Sequence, residues 1–421
     1  LNNIPFLLVS DSVTSPTGLG RVARESAIRI CKIKSDETDS SGLTLPLFDF
    51  ATAGYGGTYS KKFPFHQYPF SKLQDWTIPE LPQIWYDHAG DREGIIFFIW
   101  NASWLPWFTD PSRIQNGDLR TLLEKKPWKT WLYAPVDSEG PNRRLSEDEA
   151  KVFSKFDRVI AYTQFGARAI EKTLDAHAKD GIEFHRIEHL PHGTDGSIFF
   201  PRSREQARET FIPRVLNKPG KIMPDILLVG VCATNTPRKD WPLAFETCKI
   251  LIDRGHNVGL WAHTDRFQRN WNLPALADEF GMRQRVIFSN CNLKDEDLAW
   301  AYAACNVTLG IGSEGWGLPI SESLAMGVPC ITGNYAGATQ FTDESLMVDP
   351  IAYRYDGYYN SKRPDFRAAD WADAVERFPN GGRHSLLNSC YLWENCWNEW
   401  EKWLREGVPN EEHSQLSSLS V

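Results

Sequence analysis

Two glutamates, Glu314 and Glu322, stand with seven residues between them in the run Ser313-Glu314-Gly315-Trp316-Gly317-Leu318-Pro319-Ile320-Ser321-Glu322. An ionised carboxylate accepts hydrogen bonds through both oxygens, so each glutamate can hold a pair of vicinal hydroxyls, and ribose is a natural ligand for Glu322. Gly315 and Gly317 open the backbone to close approach. Pro319 suits a first helical position, and Gly327 stands just past the end of the same helix. A helix N-terminus that follows such a loop presents unpaired N–H groups to phosphate or sugar oxygens. The pattern puts Glu322 in the first turn, where the helix dipole favours its charge. Two other readings fit the same pair. It could be the acid and nucleophile of a glycosidase, or Glu322 could do no more than complement a helix dipole while Glu314 is solvated.

These groups can act only if the chain holds that loop at the edge of a sheet. Apolar runs at residues 4–9, 45–50, 94–100, 130–133 and 158–162 read as strands, and Leu19, Val22, Ala23, Ala27 and Ile30 fall at helical spacing. From residue 226 the alternation restarts. Strands at 226–231, 257–262, 286–288, 306–311 and 328–332 alternate with helices at 242–254, 273–280, 295–304 and 319–326. The pattern predicts an α/β protein with mainly parallel sheets, which bind ligands beyond the carboxyl ends of their strands. At 421 residues the chain exceeds one ordinary core, so two domains are expected. Residues 201–224, with charges, prolines and a Lys-Pro-Gly turn, read as their connection. Near the end, Trp393, Trp397, Trp400 and Leu404 form the apolar stripe of a helix over 385–406 that docks on the body; the Ser-rich residues 411–421 read as a frayed tail.

Composition excludes several classes. With 42% hydrophobic and 24% charged residues the chain is neither disordered nor fibrous. Its longest apolar run, 94–100, is far short of the roughly 20 residues that span a bilayer. The formal net charge of −8 argues against a nonspecific nucleic-acid or anionic-membrane binder, though a local basic face is allowed. Eight cysteines without Cys-x-x-Cys or Cys/His spacing read as buried thiols in a reducing compartment. Residues 1–10 read as a first strand rather than a signal peptide, so the expected location is cytoplasmic.

The run from Ser313 to Gly337 closely resembles the Glu, seven residues, Glu signature of the retaining glycosyltransferase family 4, whose members have the two-domain GT-B fold. Three further segments resemble that family in the right order. They are His189-Leu190-Pro191-His192-Gly193-Thr194-Asp195 followed by Phe200-Pro201, the basic loop Asn235-Thr236-Pro237-Arg238-Lys239-Asp240, and residues 295–309 ahead of the signature. The resemblance implies two Rossmann-like domains with parallel sheets facing a central cleft. Residues 1–200 would bind the acceptor, 201–384 the nucleotide sugar, and 385–421 would pack back on the body. It implies transfer of a hexose from a nucleoside-diphosphate sugar, such as a UDP- or GDP-hexose, to a hydroxyl acceptor with retention of configuration. Arg238 and Lys239 would stabilise the leaving diphosphate. Glu314 would hold the donor sugar, Glu322 the ribose, and the backbone of Gly315, Trp316, Gly317 and Leu318 would touch sugar and phosphate. Trp316 stands where the family often has another aromatic. No protein nucleophile, no cofactor and no metal is required.

Thr17-Gly18-Leu19-Gly20-Arg21 resembles the family's first glycine loop, which places Gly18 and Gly20 beside the donor phosphate. The rival reading, a dinucleotide-binding Gly-x-Gly-x-x-Ala, needs its first glycine almost directly after the strand, whereas Ser10 to Thr17 intervene here. Where the family carries a first-domain His, this chain has Tyr133-Ala134-Pro135-Val136-Asp137-Ser138-Glu139-Gly140, so Asp137 is the candidate to orient the acceptor or act as base. A turn-capping role for Asp137 fits as well. His192 would shape the interdomain turn. The aromatic and basic residues of 54–76 read as a surface loop that could stack on an acceptor sugar or an extruded base. The acceptor stays open among small molecule, glycan, lipid and nucleic acid, including a modified base in DNA. A noncatalytic nucleotide-sugar or carbohydrate-binding protein is the alternative from another class.

Overall fold

The computed structural model describes residues 3–38, 42–71, 77–178, 187–290, 293–357, 360–378 and 384–408. Its strands are β1 (Ile4–Asp11), β2 (Lys34–Thr38), β3 (Thr44–Pro46), β4 (Phe48–Tyr55), β5 (His66–Phe70), β6 (Gly94–Ile99), β7 (Trp128–Ala134), β8 (Arg158–Ala161), β9 (Glu188–His189), β10 (Leu227–Cys232), β11 (Val258–Thr264), β12 (Val286–Asn290), β13 (Val307–Gly310), β14 (Cys330–Gly333), β15 (Met347–Val348), β16 (Ala352–Asp356) and β17 (Ser361–Asp365). A seven-stranded parallel sheet runs β5-β4-β1-β6-β7-β8-β9, and a six-stranded parallel sheet runs β12-β11-β10-β13-β14-β15. The expected two-domain α/β architecture is therefore present.

Strand β6 is buried along its whole length because parallel sheets carry layers on both faces. Phe6, Leu8, Ile95 and Phe97 face a core that continues into the second domain, and Leu7, Val9, Ile96 and Phe98 face the outer core of the first. Each sheet reverses its direction of growth at one strand. In the first, β4 lies on one side of β1 and β6 on the other; in the second, β11 and β13 flank β10. Such a switch point leaves a crevice at the carboxyl ends of the strands, because the two flanking connections diverge. The loops after β1, β10 and β13 open there, and they carry Gly18, Arg238 and Glu314.

Several expectations change. Residues 201–224 hold a helix, Arg204–Leu216, with Pro213 in its last turn. It belongs to the second domain: Phe211 is fully buried, and the Arg208 guanidinium donates to the carbonyls of Ala304, Pro224 and Ile226 and to Asn306 Oδ1 at 2.6–3.1 Å. The last helix spans Trp393–Glu406, behind a 3-10 turn at Ser389–Tyr391, so it starts later than predicted. Its buried stripe includes Trp403, which the sequence reading omitted, while Trp397 is only half-buried. This helix returns to the first domain. Trp403 packs on Trp131 at 5.2 Å, and Trp400 Nε1 donates to the Pro191 carbonyl at 3.0 Å. The predicted tail at 411–421 lies outside the described residues.

The described cysteines are free thiols, but Cys390 is exposed and Cys31 and Cys232 are half-buried; Cys291 lies outside the described residues. Within the aromatic segment 54–76, residues 66–70 form the edge strand β5 instead of a loop, and Phe65 packs on Phe50 at 5.3 Å. Lys72 and Trp76 lie outside the described residues. Among the described residues, no helix is long and apolar enough to cross a membrane.

Candidate functional site

The loop after β13 is shaped by two glycines in the left-handed region, Gly312 at φ 84° and Gly317 at φ 97°. A side chain at Gly312 would collide with the Arg238 carbonyl, so this glycine is what lets the loops after β10 and β13 touch. Gly317 caps the helix Leu318–Ala325, which carries Pro319 in its first turn. The basic loop is pinned from below. Asn235 is fully buried and donates to the carbonyls of Arg266 and Trp271 at 2.9 and 2.8 Å, while Asp240 caps the helix Trp241–Asp253 through the Leu243 N–H.

Four of the predicted residues converge. Arg238 Nη1 donates to the Ser313 carbonyl at 2.6 Å and to Glu314 Oε2 at 3.1 Å; the ammonium of Lys239 contacts Glu314 Oε1. Across the cleft, Asp137 Oδ2 lies 3.4 Å from Arg238 Nε. The same carboxylate receives Arg363 Nη1 at 3.4 Å, from the hairpin of β16 and β17. Burial alone would raise the Asp137 pKa; Arg238, Arg363 and Lys239 outweigh it and hold the carboxylate below its ordinary range. Burial, and then the Arg238 charge, pull the Lys239 ammonium well below the usual lysine range. A buried cation so placed gains from every added anion.

Glu322 sits apart from this cluster. It is the fifth residue of its helix, beyond the first turn, and is only 1% exposed, so the helix dipole is not what complements it. Arg21 Nη2 lies 2.6 Å from its Oε1, and the Tyr302 hydroxyl donates to Oε2 at 3.2 Å. Burial pushes this carboxyl up while Arg21 pulls it down. Asp295 joins Arg21 at 3.4 Å and Arg24 at 2.7 Å. Nothing in the sequence assigns Arg21 a role. Its signal was a cation in the turn after the first glycines, but its partner is far away in sequence.

The glycines divide. Gly18 opens the helix Gly18–Ile30 with free space beside its Cα, on the wall of a cavity of about 300 Å³. Gly20 faces away from that space: an added Cβ would lie 2.6 Å from the Ser12 carbonyl, so it serves loop packing. The cavity lies between Gly18 and Arg21 on one side and Thr234, His263, Asp265 and Leu318 on the other. His263 was also unassigned; burial pushes its imidazole down to about 4, and Ser289 Oγ lies 2.8 Å from Nδ1. Gly315 packs against the Pro135–Val136 backbone, where an added Cβ would lie 3.1 Å from Val136 N.

The Trp316 ring turns away from the cleft. It packs at a tilt against His192 and Phe341, each with ring centroids 4.6 Å away, and its Nε1 donates to Ser321 Oγ. His192 is buried beside it, between the two domains. The Tyr133 hydroxyl gives its hydrogen to the Leu190 carbonyl at 2.6 Å, so His192 Nδ1 carries the proton in its 3.0 Å contact with that hydroxyl. Burial pushes this imidazole down to about 3, leaving it neutral near pH 7. No group of three or more His, Cys, Asp or Glu side chains suited to a metal ion occurs among the described residues.

No family model matches the chain. It is similar to D-inositol 3-phosphate glycosyltransferase of Mycobacterium sp. (strain KMS), 29% identical over 263 residues, 60% of this chain and 52% of that protein. The counterpart from Mycolicibacterium smegmatis is 27% identical over 245 residues, 56% and 48% of the two chains. The chain thus spans about half the length of the curated relatives it matches. In structure it is similar to Anabaena Alr3699/HepE in complex with UDP and glucose, with TM-score 0.65 and 11% identity over 96% of this chain and 100% of that one. Sucrose-phosphate synthase from Thermosynechococcus elongatus gives 0.63 and 16%, covering 96% and 98%. The fold is GT-B, two Rossmann-like domains whose parallel sheets face a central cleft.

Proposed function

We propose that the protein is a retaining, metal-independent glycosyltransferase that moves a hexose from a nucleoside-diphosphate sugar to a hydroxyl acceptor. The observation that carries this reading is the meeting of Arg238, Lys239 and Glu314 at the second sheet's switch point, facing Asp137 from the first domain. Preorganised cations in a closed cleft stabilise a diphosphate as it departs, because they need not reorient when charge develops. In the reaction, the bond between the anomeric carbon and the β-phosphate oxygen breaks and its electron pair stays on the phosphate. The acceptor oxygen bonds to the same face of that carbon, and its proton passes to the departing phosphate. Glu314 holds the sugar hydroxyls and Glu322 the ribose. Residues 1–200 bring the acceptor and 201–384 the donor. Asp137, held ionised by two guanidiniums, orients rather than deprotonates, since a base working near pH 7 needs a pKa near 7.

UDP-hexoses come first as donors, because the structural relative is in complex with UDP and glucose. The test is calorimetric titration with UDP, GDP and ADP, followed by transfer from the matching sugar to a panel of hydroxyl acceptors, with the product anomer read by proton NMR. One nucleoside diphosphate should bind selectively, Arg238→Ala with Lys239→Ala should weaken it by roughly tenfold or more, and an α-donor should give an α-product. Inversion refutes the stereochemistry. Binding without transfer identifies a noncatalytic nucleotide-sugar binder, and no binding removes the donor site.

A further inference from the structure

Both oxygens of Glu322 have partners within the protein. Oε1 holds Arg21 Nη2 at 2.6 Å, Oε2 accepts from Tyr302, and the residue is 1% exposed. Arg21 is steadied by Asp295, which also holds Arg24. These arginines come from the helix Gly18–Ile30 of the first domain, whereas Glu322, Tyr302 and Asp295 belong to the second. The guanidinium stands in the wall of the 300 Å³ cavity, against His263 and Leu318. Glu322 lines a neighbouring space of about 30 Å³ instead, and Arg21, Asp295 and Leu318 line both.

We propose that Arg21 is an internal competitor of the donor nucleotide. It occupies the carboxylate that the ribose must use, and the nucleotide binds only after the guanidinium swings aside. The proposal rests on the assignment of Glu322 to the ribose. Its physical content is a competition: the Arg21–Glu322 contact is charge-assisted and nearly dry, and charge-assisted contacts are stronger than neutral ones. A protein whose binding-competent form is populated to only about one part in ten shows a dissociation constant about tenfold above the intrinsic value. Arg21 is thus a positioning residue acting through Glu322. Because it bridges the domains, the same contact also favours the closed cleft before the donor is in place.

The experiment compares UDP affinity by calorimetry in the full chain for wild type, Arg21→Gln, Asp295→Asn, Glu322→Gln and the Arg238→Ala, Lys239→Ala pair, using GDP if that is the base the wild type selects. Arg21→Gln should bind UDP roughly tenfold more tightly, because the competitor is gone while the carboxylate remains. Asp295→Asn, which loosens Arg21 without touching Glu322, should shift in the same direction by less. Glu322→Gln should bind more weakly. A purely structural role for Arg21 would weaken binding in every variant, so the opposite signs are diagnostic. Small-angle scattering adds a second readout: ligand-free Arg21→Gln should have the larger radius of gyration, converging on wild type with UDP.

If Arg21→Gln binds UDP as wild type does, the competition is refuted. If it binds more weakly, Arg21 is itself a donor ligand and the proposal is wrong. Should the Arg238, Lys239 pair abolish binding while Glu322→Gln leaves it unchanged, the donor site survives and the ribose assignment falls, taking the proposal with it. If the wild type binds no nucleoside diphosphate, the functional reading itself has failed.

Discussion

Replacing Lys239 by Met keeps the length of the side chain and removes only its charge, which separates what Lys239 does for folding from the role proposed for it at the leaving diphosphate. The side chain is 4% exposed and its ammonium sits on Glu314, which is itself only 17% exposed and keeps Arg238 at 3.1 Å after the change. Breaking a fully buried pair costs about 3–5 kcal/mol because a charge is left alone. Here the carboxylate retains one guanidinium and some solvent, and the substitution also removes the desolvation cost of the ammonium, so the loss should be about 1–2 kcal/mol. Catalysis should suffer more. Deleting one preorganised group that stabilises developing negative charge costs about 10²–10³ in kcat, or roughly 3–4 kcal/mol. The assay pairs urea unfolding with release of nucleoside diphosphate at saturating donor. A drop in kcat of less than about tenfold in a well-folded Lys239→Met protein refutes the assignment of Lys239 to the diphosphate. Equal losses in stability and in kcat would mean the lysine serves mainly to neutralise Glu314.

Four other outcomes follow from the same geometry. His192 has a folded pKa of about 3 against an ordinary value near 6.5, so the unfolded chain binds the extra proton as pH falls through 6.5. Stability should be lost toward acid with a contribution of up to about 1.4 kcal/mol per pH unit, and His192→Asn should flatten that part of the unfolding curve. Trp403→Ala removes a ring packed on Trp131 and Phe97 and covered by the Arg158 guanidinium at 4.1 Å; calorimetry or urea melts should show a loss of about 3–5 kcal/mol. Gly337→Ala would drive a methyl group into the Gly315 carbonyl; a well-folded variant with unchanged donor affinity would show that the loop can shift at no cost to the site. Asp137→Asn should lower kcat by roughly ten- to a hundredfold through lost orientation while leaving the shape of the rate profile between pH 6 and 9 unchanged, because the carboxylate that Arg238 and Arg363 hold down does not titrate there.

What the sequence made legible follows from how local each signal is. Residues 94–100 read as a buried strand because an unbroken apolar run admits little else, and β6 occupies almost all of it. The helix Asp295–Ala304 matched its predicted range, with three acidic residues in its first turn and Cys305 following. Glu314, Arg238 and Lys239 were singled out by short runs that resemble one family's motifs, and the structure brings the three together because the loops after β10 and β13 meet beside the switch point. By contrast, Pro213 disguised a helix whose stability comes from Phe211 and Arg208 packing against the second domain. The hairpin carrying Arg363 has tyrosines and charged residues on β16, charged and polar residues with one proline on β17, and no apolar face, so no periodicity announced it. Gly20 looked like a phosphate approach and proved to be a loop contact, because a glycine in sequence does not say which side lacks room. Trp316 belongs to an aromatic cluster assembled from three distant segments, and Arg21 meets Glu322 across the two domains; pairings of that kind are properties of the tertiary fold alone.

Those long-range pairs change what donor binding must be. Each carboxylate assigned to a substrate hydroxyl already holds a cation: Glu314 has Arg238 and Lys239, and Glu322 has Arg21. The carboxylates and cations of the cleft therefore neutralise one another, and a donor bound as proposed would exchange partners with them rather than dock onto free groups. On the proposed assignment, the diphosphate would offer Arg238 and Lys239 a stronger anion and release Glu314 to the sugar, and the ribose would displace Arg21 from Glu322. The two exchanges take place at separate clusters, so a fragment that completes only one leaves the other contact closed. Pyrophosphate alone and the free nucleoside alone should each bind far more weakly than a simple division of the diphosphonucleoside's affinity implies. Calorimetric titration of the two fragments, separately and together, measures that coupling, and additive free energies would show that the two clusters act independently.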